Sequence, residues 1–116
     1  MLVVFIIARD WMLRAGVRAE LRERGIEALG MESPDDAARV LAEGKCQAPA
    51  AIVLEGASAS EAHQALENLA RRVPIIVVAS RMEPPPLSPA AATLYRPVRV
   101  QDVVDQVLRI LQGTPA

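Results

Sequence analysis

Short, continuous apolar runs recur along this chain. Residues 2–8, 50–54, 73–78 and 91–95 are rich in β-branched residues or alanine and do not alternate with polar residues. Such runs are typical of parallel strands that are covered on both faces. A weaker run at residues 26–30 predicts a fifth strand, at an edge of the sheet. The hydrophobic pattern therefore predicts five strands.

The positions between these runs repeat with helical spacing. Leu13, Val17 and Leu21 recur every four residues, and Gly25 supplies a left-handed stop. Strands that alternate with helices of this length imply right-handed crossovers and a doubly wound α/β sheet. The same signals mark three further helices: Ser33, Pro34 and Gly44 for the second, Ser60, Leu66 and Leu69 for the third, and Val103, Val107 and Leu111 for the last.

The connection before the last strand breaks this alternation. Pro84, Pro85, Pro86 and Pro89 fall within residues 81–89. Each proline removes a backbone donor and fixes φ, so a regular helix cannot form across the segment. We expect an extended or polyproline-like connection there.

Composition narrows the class of protein. The chain has 13 basic and 14 acidic residues and a net charge of -1, which gives no overall field to attract nucleic acid or an anionic membrane. No run approaches the roughly 20 apolar residues of a membrane helix. The single cysteine, Cys46, suits a reducing compartment, and His63 has no metal-ligand spacing around it. We expect one soluble cytoplasmic domain spanning residues 1–116.

Four segments of the chain together resemble a known family. They resemble the receiver domains of bacterial response regulators. The opening strand and helix of that family are similar to VVFIIARDWMLRAGVRAELRERG. Its third, fourth and fifth strands are similar to AAIVLEG, VPIIVVAS and LYRPV, in that order. The resemblance implies a flavodoxin-like sheet of order 2-1-3-4-5, with its site at the carboxyl ends of the strands. It also implies that the proline-rich connection shortens or replaces the fourth helix.

The resemblance places the family's phosphorylation site on residues of a different chemistry. Its acidic pair becomes Ala8 and Arg9, with Asp10 just beyond, and its phosphoacceptor aspartate becomes Glu55. A receiver binds Mg²⁺ through two or three carboxylates, and a nearby guanidinium opposes that ion. We therefore expect no Mg²⁺ binding and no other cofactor. The family's Thr or Ser at the end of the fourth strand becomes Ala79, with Ser80 one residue further, and the family's lysine after the fifth strand becomes Arg96.

Glu55 allows two interpretations. Its carboxylate pairs with Arg9 or Arg96 and holds the domain in one conformation, or it is a solvated glutamate at the end of a strand. The resemblance further implies a cis peptide bond before Pro97, which would orient Arg96 toward the site.

The sequence shows no catalytic motif, so we expect a module that is not an enzyme. The first hypothesis is a pseudo-receiver that binds a protein partner, either a histidine kinase or a downstream signalling protein, with a homodimer also open. The alternative is a phosphoacceptor in a phosphorelay that uses Glu55, Asp10 or a serine such as Ser58. A small-ligand pocket rests on fold analogy alone. Candidate partner contacts, or simple packing residues, are Met82, Pro85 and Leu87.

Overall fold

A computed structural model of the chain describes residues 2–44, 47–56, 71–80 and 91–113. Five parallel strands form one sheet in the order β2-β1-β3-β4-β5. This confirms the predicted doubly wound α/β fold, its strand order and the edge position of the second strand. The elements are β1 (Val3–Ile7), α1 (Trp11–Glu23), β2 (Glu27–Met31), α2 (Pro34–Ala42), β3 (Ala51–Glu55), β4 (Ile75–Ala79), β5 (Ala92–Tyr95) and α3 (Val100–Leu111).

The sheet has a hydrophobic core on each face. Successive side chains of a strand point to opposite faces, so Phe5 and Ile7 join one core while Val4 and Ile6 join the other. Helix α2 packs on the Phe5 face, and α1 and α3 pack on the Ile6 face. All of β1 is buried, which explains why its sequence is continuously apolar.

The start of α2 and the ends of α1 and α2 lie where the sequence predicts them. Ser33 Oγ accepts a hydrogen bond from the backbone N–H of Asp36 at 3.3 Å, so Ser33 caps α2 with Pro34 at its first position. Gly25 and Gly44 follow α1 and α2 with φ of 77° and 67°. This left-handed backbone favours glycine, and it ends both helices where the sequence indicates.

Two arginines of α1 bond to backbone oxygens at the end of β1 and within β2. Arg14 Nη1 donates to the backbone oxygen of Ala8 at 2.6 Å, and Arg18 Nε donates to that of Ala28 at 3.2 Å. Arg14 crosses Gly30, where a Cβ atom would lie 2.9 Å from Arg14 Cγ. Glycine at position 30 therefore leaves room for the arginine to reach the end of β1.

Several predictions concern residues outside the described part of the chain. They include the third predicted helix, the proline-rich connection that replaces the fourth helix, and the residues Met82, Pro85, Leu87, Cys46, His63, Ser58 and Ser60. In the described part, no helix is both long enough and apolar enough to cross a membrane.

Candidate functional site

The carboxyl ends of the strands bring four of the predicted site residues together. Arg9 and Asp10 follow β1, Glu55 is the last residue of β3, and Arg96 follows β5. Parallel strands end at the same edge of a sheet, which is where ligand and catalytic sites form in this type of fold. The four residues are linked by hydrogen bonds, and we call them the Glu55 network.

Glu55 is a buried acidic residue with both carboxylate oxygens engaged. Its exposed fraction is 7 %, and Oε1 accepts a hydrogen bond from the backbone N–H of Arg9 at 3.0 Å. Oε2 accepts one from Arg96 Nη2 at 2.6 Å. Charge-assisted bonds of this kind offset the cost of burying a carboxylate. Of the two arginines predicted as possible partners of Glu55, Arg96 forms the ion pair. The interpretation of Glu55 as a solvated strand-end residue is wrong.

Asp10 connects the network to the first helix. Its Oδ1 accepts hydrogen bonds from the backbone N–H groups of Met12 and Leu13 at 3.1 and 3.2 Å, which makes Asp10 the N-cap of α1. Its Oδ2 lies 3.4 Å from Arg96 Nη2. The guanidinium of Arg96 therefore bonds to two carboxylates through the same nitrogen, Nη2.

The backbone holds Arg96 in this position. Its N–H donates to the oxygen of Ala79 at 2.8 Å, and the following peptide bond to Pro97 is cis, as the resemblance to receiver domains implies. Ala79 is buried at the end of β4 and carries no hydroxyl, while Ser80 is half-buried one residue beyond it. Ala8 is fully buried, with its backbone bonded to Met31 and Arg14.

Comparisons with known proteins agree with this topology. No family model and no curated protein matches the chain. The receiver domain of the TMAO respiratory system response regulator TorR is similar at a TM-score of 0.81 and 17 % identity over 99 % of this chain and 100 % of that one. A response regulator receiver protein from Burkholderia phymatum is similar at 0.77 and 22 % identity, over 100 % and 98 % of the two chains. One from Pseudoalteromonas atlantica gives 0.73 and 18 %, over 96 % and 98 %.

The chain has the receiver fold. The expected fold is confirmed, and the likeness covers 98 to 100 % of these three receiver structures. Since the identities are 22 % or lower, the likeness establishes the fold. The chemistry of the site depends on the residues of this chain.

In this receiver fold, the carboxylates at the strand ends do not fit a divalent cation. All four oxygens of Asp10 and Glu55 accept hydrogen bonds, and the Arg96 guanidinium donates to both groups. Mg²⁺ requires free oxygen ligands in octahedral geometry. Within residues 2–44, 47–56, 71–80 and 91–113, no group of three or more His, Cys, Asp and Glu residues could hold a metal ion.

We expect Mg²⁺ to leave the thermal stability of this receiver fold unchanged. An ion between Asp10 and Glu55 would have to displace Arg96 or accept a repulsion of several kcal/mol from its positive charge. The melting temperature should therefore move by less than about 1 °C on addition of about 10 mM MgCl₂ at constant ionic strength. A saturable rise with MgCl₂ that NaCl does not reproduce would contradict this prediction.

Two features of the site were not predicted from the sequence. One is the role of Asp10 as the cap of α1, although an aspartate just before the periodic Leu13, Val17 and Leu21 is a helix-start signal. The other is the bond from position 9: Arg9 was one of two candidate partners for Glu55, and the hydrogen bond that links them comes from its backbone N–H. A backbone donor carries no signal in the sequence.

Proposed function

We propose that this chain is a signal-transduction module of the receiver fold that acts by binding a protein partner and does not use aspartyl phosphorylation. The main support is the position of Arg96, at 2.6 Å from the buried Glu55 and 3.4 Å from Asp10. In the proposal the domain is not an enzyme and works in the cytoplasm. Its partner is a histidine kinase or a downstream signalling protein, and a homodimer is the other arrangement.

The Glu55 network favours this function because the charged groups of the site already bond to one another and to the backbone. A carboxylate that attacks a phosphorus atom needs a free oxygen and a cation that stabilises the developing charge. Both Glu55 oxygens hold hydrogen bonds, and Arg96 is already shared between two carboxylates. An incoming phosphoryl group would have to break these bonds before it could react.

The network also supports the idea of one permanent conformation. It links the β1–α1 connection, the end of β3 and the β5–α3 connection, which lie 41 to 86 residues apart in sequence. In our proposal these bonds keep the carboxyl edge of the sheet in a single arrangement that the partner recognises. The signal would then depend on the amount of the protein in the cell or on which partner it binds, and no phosphorylation switch would be involved.

Intact-mass spectrometry after incubation with acetyl phosphate and Mg²⁺ tests the proposal. We expect no adduct of about 80 Da, the mass that one phosphoryl group adds. A receiver domain with a complete aspartate site, treated in parallel, shows that the reagent is active.

An adduct on this chain would overturn the proposal and support the phosphorelay alternative. The variants Glu55→Ala and Asp10→Ala identify the acceptor if the adduct disappears in one of them. Treatment with hydroxylamine then separates a labile acyl phosphate on a carboxylate from a stable phosphoserine.

A further inference from the structure

An open cleft of about 410 Å³ lies at the carboxyl end of the edge strand β2. It is lined by Arg14 of α1, by residues 30–32, and by Asp36, Arg39 and Val40 of α2, and we call it the β2 cleft. Its volume falls within the range of roughly 300 to 1,000 Å³ that is usual for small-molecule sites. None of the four residues of the Glu55 network lines it.

Arg14 forms one wall of the β2 cleft and keeps donors available to a ligand. Its stem crosses Gly30, and its Nη1 donates to the backbone oxygen of Ala8 at 2.6 Å. Within residues 2–44, 47–56, 71–80 and 91–113, this is the one hydrogen bond that Arg14 makes. The other N–H groups of its planar guanidinium remain for a ligand, and that geometry matches a carboxylate.

The backbone of Gly30 adds a donor and an acceptor to the same wall. The oxygen of Met31 accepts a hydrogen bond from the N–H of Ala8 at 2.9 Å, so the backbone groups of Met31 point toward β1. Those of Gly30 point away from β1, because β2 is an edge strand and its residues alternate in this direction. The bond from Arg18 to the oxygen of Ala28, two residues before Gly30, lies on this open side as well.

Helix α2 forms the opposite wall. Asp36, Arg39 and Val40 have the spacing of one helix face. Asp36 Oδ1 lies 3.7 Å from Arg39 Nη1, and their side chains are 38 % and 67 % exposed, so both charges remain open to solvent. Together with Arg14 and Glu32, the β2 cleft carries two guanidinium groups and two carboxylates. Its charged side chains therefore balance, and Val40 gives the wall an apolar part.

We propose that the β2 cleft binds a free α-amino acid with an uncharged side chain. The carboxylate of this ligand would accept hydrogen bonds from Arg14 and from the backbone N–H of Gly30. Its ammonium group would lie beside Asp36, and its side chain would lie against Val40. The inference goes beyond the proposed function and does not depend on it, because it concerns a small molecule and a separate site.

The balance of charge favours a zwitterion over an ion of one sign. A phosphate or a simple carboxylic acid would meet Glu32 and Asp36 without a positive group to face them. An amine without a carboxylate would meet Arg14 and Arg39 in the same way. Like charges brought together cost affinity, and a ligand with both charges avoids that cost at both walls.

Thermal unfolding of the whole chain with L-leucine, L-valine and L-methionine tests the inference. At least one of these amino acids at about 10 mM should raise the melting temperature by about 3 °C or more, and the rise should saturate. Analogues that lack one charged group serve as controls. For leucine these are isocaproate, which lacks the amino group, and isoamylamine, which lacks the carboxylate. Each should give less than about a third of the shift, because one wall then stays unmatched.

Two neighbouring variants locate the site. Asp36→Asn should weaken binding of the amino acid about fivefold or more by calorimetry, because it removes the partner of the ammonium group. Asp35→Asn removes the same charge from the first turn of α2, at an exposed residue that does not line the β2 cleft. It should change the affinity by less than about twofold. In the unsubstituted protein, the amide NMR resonance of Gly30 should shift with the same saturation curve.

Other outcomes would overturn the inference. No saturable rise with any of the three amino acids would exclude the ligand class. Equal rises with isocaproate or with isoamylamine would indicate a site for an ion of one sign. Equal losses of affinity in the two aspartate variants, or binding that leaves the Gly30 resonance unmoved, would place the ligand outside the β2 cleft.

Discussion

The variant Arg96→Ala should lower the free energy of unfolding by about 2 kcal/mol. It leaves the carboxylate of Glu55, which is buried, with a single remaining hydrogen bond from the backbone of Arg9. Removing one partner of a fully buried pair costs about 3 to 5 kcal/mol. The side chain of Arg96 is 39 % exposed, so water screens the pair and the cost falls below that range. The melting temperature should drop by about 8 °C.

A double-mutant cycle with Glu55→Gln tests whether this loss belongs to the Glu55–Arg96 pair. Glutamine keeps the size of the side chain and removes its charge, so the Arg96→Ala change should cost less in the Glu55→Gln background. We expect a coupling energy of about 1 kcal/mol from urea denaturation. Arg72→Ala, at an exposed arginine outside the network, serves as control and should stay within about 0.5 kcal/mol. Additive effects of the two substitutions would contradict a functional ion pair.

The variant Phe5→Ala should cause the larger loss, about 4 kcal/mol in the free energy of unfolding. Phe5 is fully buried in β1, where its Cα lies opposite Leu29 on one side and Ile52 on the other. It is the only phenylalanine of the chain, in a core that is otherwise aliphatic. Truncation to alanine removes the buried ring and leaves a cavity, which costs about 3 to 5 kcal/mol.

Chemical denaturation of Phe5→Ala beside Ile6→Val separates a cavity from a general weakening of β1. Ile6 is the next residue and points to the other face of the sheet, so the loss of one methyl group should cost only about 1 kcal/mol. A Phe5→Ala loss below about 2 kcal/mol would mean that the core on the Phe5 face is loosely packed.

The sheet could be predicted from sequence because its signals are local. Strands buried on both faces must be continuously apolar, as β1, β3 and β4 are. Ser33 and Gly44 mark the limits of α2 through backbone chemistry that depends on neighbouring residues only. These signals place the strands to within about two residues, and their alternation with helices implies a parallel, doubly wound sheet. The order 2-1-3-4-5 came from the resemblance to receiver domains, because alternation alone leaves the order open.

The site could be predicted only in part because its contacts are distant in sequence. The ends of parallel strands meet at one edge, which made a pair between Glu55 and an arginine foreseeable. The choice of Arg96 depends on where packing places its backbone, beside Ala79. The crossing of Arg14 over Gly30 likewise depends on how α1 lies on the sheet, which no single segment encodes.

The ion pair between Glu55 and Arg96 has an evolutionary consequence. Loss of Arg96 leaves the buried carboxylate of Glu55 without its ion-pair partner. A change of Glu55 to an apolar residue leaves Arg96 without its shortest hydrogen bond. Each single step is costly, while a joint replacement by two neutral residues avoids an unpaired charge. Among sequences that descend from the same ancestor, these two positions should therefore change together, and the pair should be either kept whole or lost whole.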